Sequence, residues 1–169
     1  MKKINILILT GMLSMSTYAE EMAIEASSEV EFEAGIGVNY ALLGVTANKS
    51  INSKIELFAG LGLGYVVGGR YYFNDSVRFT ANYGTNSIIQ KILFGVDYNY
   101  TYTVTEYFEG TNLGIGYISS KKNGWSIDLM YSDISKANDR TKELTNEGYT
   151  FFDNNNSFEK ITLSLGYRW

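Results

Sequence analysis

From Glu29 onward, apolar and polar residues alternate along the chain with a period of two. Val30, Phe32, Ala34, Ile36, Val38 and Tyr40 interleave with Glu29, Glu31, Glu33, Gly35, Gly37 and Asn39. A run of this length and period predicts a strand with one apolar and one polar face. The pattern returns in Ile55, Leu57, Ala59 and Leu61, and again over 65–73, 77–84, 112–117, 125–132 and 160–169. Short polar clusters separate several of these runs: Asn52-Ser53, Asn74-Asp75-Ser76 and Lys121-Lys122-Asn123-Gly124. Asn, Asp and Gly accept the positive φ that tight hairpins need. Two further reversals are expected. One lies near 39–42, where the apolar positions change from even to odd, and one at 62–64, on glycines alone. Two stretches are longer and polar or mixed, about 89–106 and about 134–157, and the second shows no periodicity.

These signals predict eight strands, at 29–39, 41–51, 54–62, 65–73, 77–88, 107–120, 124–134 and 158–169. An even count lets the first and last strands meet with both termini on one side, with the short turns there and the long loops opposite. The limits within 85–110 are the least defined. There Ile92, Phe94, Val96, Tyr98, Tyr100, Tyr102 and Val104 also alternate, and either extend the neighbouring strands or form their own pair.

The expected fold is all-β, an eight-stranded antiparallel up-and-down transmembrane β-barrel over 29–169. A soluble barrel would alternate too, but would point its bulky apolar rows inward. Eight strands leave an interior about one side chain wide, too narrow for rows of Phe, Tyr and Trp. Pointed outward, those rows meet lipid, and the Gly-, Ser-, Thr- and Asn-rich face lines a narrow lumen. Aromatics gather beside the turns (Tyr40, Tyr71, Phe73, Tyr83, Tyr117, Trp125, Tyr131, Tyr167 and Trp169), where amphipathic rings suit a headgroup boundary.

Composition narrows the chemistry. The 169 residues include no Cys, His or Pro. Disulfides, thiol catalysis, His-based acid–base catalysis and His- or Cys-ligated metals are therefore excluded. Residues 1–19 read as a secretory signal peptide: Lys2 and Lys3, then an apolar stretch from Ile4 to Leu13, then Thr17-Tyr18-Ala19 ahead of a cut before Glu20. The apolar stretch, about 10 residues, is half the roughly 20 that a bilayer helix needs. Loss of Lys2 and Lys3 leaves 12 basic groups against 18 acidic ones, a net charge of −6. That sign argues against a nucleic-acid partner.

The inward-facing positions carry Glu31, Glu33, Glu56 and Asp128 with Arg70, Arg78, Lys160 and Arg168. A charge inside a narrow tube loses solvation and needs a partner. The expectation is a network in which Arg70, Arg78 and Arg168 reach Glu31, Glu56 and Asp128 and plug the lumen. The alternative is that several of these charges sit at strand ends in water and pair with nothing, with Glu31 and Glu33, near the start of the first strand, the first such cases. Other motifs weigh less. Glu31 and Glu33 share a face but lie among bases, which does not suit a glycosidase pair. Gly60-Leu61-Gly62-Leu63-Gly64 lacks the helix and the Lys-Ser/Thr of a phosphate loop. Asp153-Asn154-Asn155-Asn156 lacks calcium-loop spacing. Asn99-Tyr100-Thr101 fits a glycosylation pattern but reads as strand or loop. No cofactor and no metal is expected.

The last segment, Ile161-Thr162-Leu163-Ser164-Leu165-Gly166-Tyr167-Arg168-Trp169, resembles the C-terminal signal of Gram-negative outer-membrane proteins, with Trp where Phe is commonest. The resemblance implies that the barrel assembly machinery reads Leu165, Tyr167 and Trp169. Gly69-Arg70-Tyr71-Tyr72-Phe73-Asn74-Asp75 is similar to a strand–turn segment of small outer-membrane barrels. The whole mature chain is similar in size and pattern to eight-stranded barrels of the outer membrane protein A and X type, without a peptidoglycan-binding domain. The resemblance places the protein in the outer membrane after cleavage near Ala19, with 20–28 as an N-terminal periplasmic segment. The expected role is non-enzymatic, structural or surface-interacting, with outer-membrane lipid around it. An extracellular surface ligand would meet loop aromatics Tyr98, Tyr100, Tyr102, Tyr107, Phe108, Tyr149, Phe151 and Phe152. The alternative is a narrow pore for small solutes or ions. Lipid-modifying enzymes built on such barrels rely on His with Ser, and His is missing here.

Overall fold

The computed structural model describes residues 29–94, 101–147 and 158–169. The signal-peptide and N-terminal-segment expectations, the loop aromatics Tyr98, Tyr100, Tyr149, Phe151 and Phe152, and the Asp153–Asn156 cluster lie outside these residues.

Eight antiparallel strands close into an up-and-down barrel in sequence order, with β8 pairing back onto β1. They are β1 (Val30–Gly37), β2 (Leu42–Ser50), β3 (Ile55–Gly62), β4 (Tyr65–Tyr72), β5 (Val77–Phe94), β6 (Thr101–Ile118), β7 (Gly124–Ser132) and β8 (Ile161–Arg168). A 3-10 turn (Val38–Tyr40) joins β1 to β2, and a helix, α1 (Ser135–Asn146), lies between β7 and β8. None of the described helices is long and apolar enough to cross a membrane.

β1 begins and β8 ends on the same side of the barrel, called here the terminal side. Three short turns lie there, and two use the same device. Asn52 Oδ1 accepts from the backbone N–H of Lys54 and Ile55, and Asn74 Oδ1 from those of Ser76 and Val77, all within 2.8–2.9 Å. These side chains supply an acceptor that the reversing backbone lacks. The seam between β1 and β8 is the shortest pairing, from Glu33↔Arg168 to Ile36↔Leu165. Phe32 and Trp169 extend it by exchanging backbone hydrogen bonds.

The largest departure of the strand limits from expectation is in β5 and β6. β5 runs to Phe94 and β6 begins at Thr101, so Ile92, Phe94, Tyr102 and Val104 of the alternation noted there extend the neighbouring strands, while Val96, Tyr98 and Tyr100 lie outside the described residues. β5 pairs with β4 only as far as Gly84, and β6 with β7 only from Asn112. Beyond those limits the two strands pair only with each other and rise above the rim. A bulge between Thr85 and Ser87 starts the extension. One extra residue there reverses the inward parity, from Arg78, Thr80 and Asn82 to Ser87 and Ile89.

The long stretch expected to be a loop without periodicity contains α1 in its described part. Its buried face is Ala137, Thr141 and Leu144, spaced by four and three residues. Thr141 is the polar member of that face, and its hydroxyl donates back to the Ala137 carbonyl at 2.9 Å. Ahead of the helix, Asp133 Oδ1 accepts from the backbone N–H and the hydroxyl of Ser135. Those bonds hold the Asp133 carboxyl below its usual range. Arg140 of α1 donates to Glu106 of the hairpin at 3.0 Å, and Lys91 pairs with the same carboxylate.

Hydrogen bonds from Arg140 and then Lys91 hold the Glu106 carboxyl below the ordinary carboxylate range. A lowered folded value stabilises the docked helix above about pH 4.3, the ordinary value of a glutamate. The contribution disappears as pH falls through the folded value. Amide hydrogen exchange over 135–146 is therefore expected to quicken as pH drops below about 4, after correction for intrinsic rates, and Glu106→Gln is expected to remove that step. An unchanged step in the variant would show that Glu106 does not tether the helix.

Candidate functional site

The interior of the barrel is built from charged and polar side chains. Glu33 of β1 is fully buried at its centre. Its Oε2 accepts from Arg70 Nη1 of β4 and from Arg168 Nη2 of β8, both at 3.0 Å. Its Oε1 accepts from Arg78 Nη2 of β5 at 3.5 Å and from the hydroxyls of Tyr40 and Ser126. Tyr40 and Ser126 also bond each other at 2.9 Å.

Two further carboxylates flank this hub. Glu56 of β3 accepts from Arg70 Nη1 at 2.8 Å and holds Arg168 through both oxygens, at 2.8 and 2.9 Å. Tyr72 donates to it as well. Asp128 of β7 takes Arg78 in a fork, Nε at 3.0 Å and Nη2 at 2.7 Å, with Thr80 donating to the same carboxylate. A fork of this kind fixes the guanidinium plane as well as its charge. Glu31, with its side chain 22 % exposed, meets Arg168 Nη1 at 3.1 Å. Asn48 Oδ1 accepts from Arg70 at 2.8 Å, and the Phe58 ring lies 4.2 Å from the Arg70 guanidinium carbon.

Seven of the eight charges expected in the lumen therefore meet in one cluster: Glu31, Glu33, Glu56, Asp128, Arg70, Arg78 and Arg168. Lys160 does not join them. It is exposed just before β8, at the loop end, where the ring has already opened. Glu33, one of the two acids that the alternative leaves in water, is the hub, because three arginines from three different strands converge at its height. Glu31, one pleat nearer the end, is only half-buried, as that position predicts.

Tyr40 was not expected here. The alternation placed it on the outer face, among the boundary aromatics. Instead β1 ends at Gly37, and the 3-10 turn folds into the lumen, burying Val38, Asn39 and Tyr40. The turn needs left-handed backbone at Gly37, Ala41 and Leu42 (φ 105°, 50° and 73°). Tyr40 occupies space left by two glycines: a Cβ on Gly35 would meet its ring, and one on Gly166 would meet its hydroxyl. The glycines at 35 and 166 were the available signal, since a missing side chain on one strand leaves room for a large one nearby.

Above the charges lies a ladder of amides. Asn82 donates to Asn39 at 2.7 Å, Asn112 to Asn82 at 2.6 Å and to Asn86 at 2.8 Å, and Asn86 to the Asp133 carbonyl at 3.0 Å. Asn86 is the residue added by the bulge, so the irregularity aims this side chain at the β7 end. At the terminal side, Lys121 lies across the opening. Its ammonium donates to the Ser53 carbonyl and to Asp75, both at 3.1 Å, and stands 4.6 Å from the Tyr72 ring centre. Its own carbonyl accepts from Arg168.

Leu165 and Tyr167 are on the exposed outer face of β8, and Trp169 follows it, also exposed. The Tyr167 ring meets that of Trp125 edge-on at 4.9 Å.

The chain matches no protein-family profile, no curated protein and no solved structure. What the cluster does is therefore a matter of its own geometry. It ties strands together and fills the tube. A buried ion cluster of this kind is close to neutral in net stability against an apolar replacement, but breaking one partner leaves uncompensated charge. Glu33→Gln is expected to destabilise the fold by about 3–5 kcal/mol, and Tyr40→Phe by about 1–2 kcal/mol. Lys160→Ala is expected to change stability by less than about 0.5 kcal/mol. Urea unfolding of the three variants measures the order. A Glu33→Gln protein as stable as wild type would remove the carboxylate from the centre of the fold.

Proposed function

We propose that this protein is an integral outer-membrane β-barrel with a filled lumen and a non-catalytic role, structural or directed at surface partners through its loop-side hairpin. The observation that carries the reading is the outer face. Large apolar side chains are exposed around the whole ring, among them Phe32, Leu43, Leu57, Leu61, Ile115, Leu129 and Leu163. Leu61 is 75 % exposed and Trp125 69 %. Water-soluble monomers seldom expose contiguous apolar area beyond a few hundred Å², whereas lipid accepts such a belt.

The distribution of aromatics supports the same reading. Tyr71, Phe73, Phe79, Tyr117, Trp125, Tyr167 and Trp169 lie toward the terminal side, and Tyr65, Tyr83, Tyr107 and Tyr131 toward the loop side. Two such girdles suit two headgroup layers. At the loop-side girdle the Tyr83 hydroxyl donates to Glu109 at 3.1 Å, which gives that carboxylate a partner at the edge of the belt. The leader at 1–19 supports export, and the terminal pattern Leu165, Tyr167, Trp169 supports recognition by barrel assembly machinery. The pore alternative needs an open path. Glu33, Arg70, Arg78, Asp128 and Tyr40 fill the middle of the ring, and Lys121 crosses its terminal opening, which favours a closed barrel. Above the rim, α1 and the β5–β6 hairpin are the parts best placed to meet a partner.

The test is fractionation with gel migration before and after boiling. The protein is expected in the outer-membrane fraction, with a mobility that changes on heating, and without large stable openings in planar bilayers. A mature chain that stays monomeric in detergent-free buffer and melts cooperatively would end the membrane reading. Large stable wild-type openings would end the closed-lumen reading.

A further inference from the structure

The outer face carries a groove of about 580 Å³ across β1 to β4. Its floor is Ala47, Ala59 and Gly60, and Phe32, Leu61 and Tyr65 stand along its sides. The register explains it. Phe32 pairs with Ala47, Ala47 with Ala59, and Ala59 with Val67, so two alanines sit side by side among larger residues. The volume falls within the roughly 300–1,000 Å³ of small-molecule clefts.

Lys49 stands one outward position beyond the lining residues of this groove, toward the terminal side. It is two residues along β2 from Ala47, so it shares the outward face, and it pairs across to Val30 and Leu57. Within the part of the ring where every strand is paired on both sides, it is the single charged residue with outward parity. It is exposed and makes no ion pair with a described residue. The acids of the flanking strands, Glu31, Glu33 and Glu56, point into the lumen toward Arg70 and Arg168. A cation so placed, four residues before Ser53 of the β2–β3 turn, is at the depth where the proposed bilayer has its terminal-side headgroups.

We propose that the groove holds an acyl chain of one anionic phospholipid from the terminal-side leaflet, with the lipid phosphate on Lys49. The proposal rests on the membrane reading above and adds a specific site to it. The alanine floor lets the chain lie against the backbone, and the ammonium supplies the charge that sets its depth. A second copy of this chain fits less well. A two-fold contact brings the same patch of both copies together, and here it would set cation near cation.

Native mass spectrometry of the detergent-folded barrel with phosphatidylglycerol, or with phosphatidylcholine as the comparison, tests the site. One phosphatidylglycerol is expected to be retained per barrel, in preference to phosphatidylcholine. Lys49→Gln is expected to weaken retention roughly fivefold. Ala59→Trp, which fills the floor, is expected to abolish it, and Ala47→Phe serves the same purpose should the tryptophan disturb folding. Each variant should keep heat-modifiable migration. Equal retention of both lipids, equal retention by wild type and variants, or a dimer formed through this face overturns the site. A barrel that migrates as folded and shows no preference overturns the site alone. A chain with no heat-modifiable migration overturns the membrane reading and the site together.

Discussion

The fold depends on the Glu33 carboxylate. It receives Arg70 from β4, Arg78 from β5, Arg168 from β8, and the hydroxyls of Tyr40 and Ser126. One side chain on the first strand is thus bonded to groups spread around the ring. The consequence for register is direct. A slip of one residue in β8 would carry Arg168 to the outer face and bring Tyr167 into the lumen. Glu33 and Glu56 would then lose the guanidinium they share. The β1–β8 seam has the fewest paired residues, and it is also where Arg168 joins β8 to β1 and β3. Some guanidinium nitrogens (Arg70 Nε and Nη2, Arg78 Nη1, Arg168 Nε) have no hydrogen-bond partner among the described residues. Incomplete satisfaction argues that the cluster contributes more to choosing one closed arrangement than to net stability.

Filling the tube requires small and large residues to face one another. A Cβ on Gly116 would collide with the Asp128 carboxylate, and one on Gly114 with the Met130 sulfur. In register, Gly116 is opposite Asp128 and Gly114 opposite Met130. Asp128 can therefore lean across β6 toward Arg78, which itself is opposite Gly116 on the other side. The same trade places the Tyr40 ring over Gly35 and Gly166. Eight strands leave a width that side chains just fill, so each large group in this lumen depends on a missing one next to it.

Period-two alternation made the closed eight-stranded order and the terminal-side turns legible in the sequence. It also separated inward charges from outward apolar residues correctly for Arg70, Arg78, Arg168, Glu56 and Asp128. It failed where geometry changes without a change in residue type. Val38 and Tyr40 continue the pattern of β1 in the sequence, yet Gly37 at φ 105° turns them inward. Glu33 looked like a strand-end acid because sequence spacing gives no barrel stagger, and the stagger sets which levels meet. Lys160 had the right parity but lies at the opened loop end. α1 was invisible because its buried face holds only two apolar residues, Ala137 and Leu144, with Thr141 between them. The bulge at Asn86 left no parity mark that the run 77–88 alone could reveal.

A ring with a polar filling inverts the usual source of stability. Twelve apolar residues are buried among the described ones, and of these Ala41, Phe58 and Val66 form a contiguous cluster. Burial of so little apolar surface cannot offset the entropy of ordering a chain of this length in water. Backbone ladders and buried ion pairs contribute modestly in net terms. The missing term has one evident source on the molecule, the exposed Leu, Ile, Val, Tyr and Trp side chains of the outer face, and it becomes favourable only when something apolar covers them. The scant apolar interior and the apolar exterior thus support the same reading, the proposed bilayer around the ring.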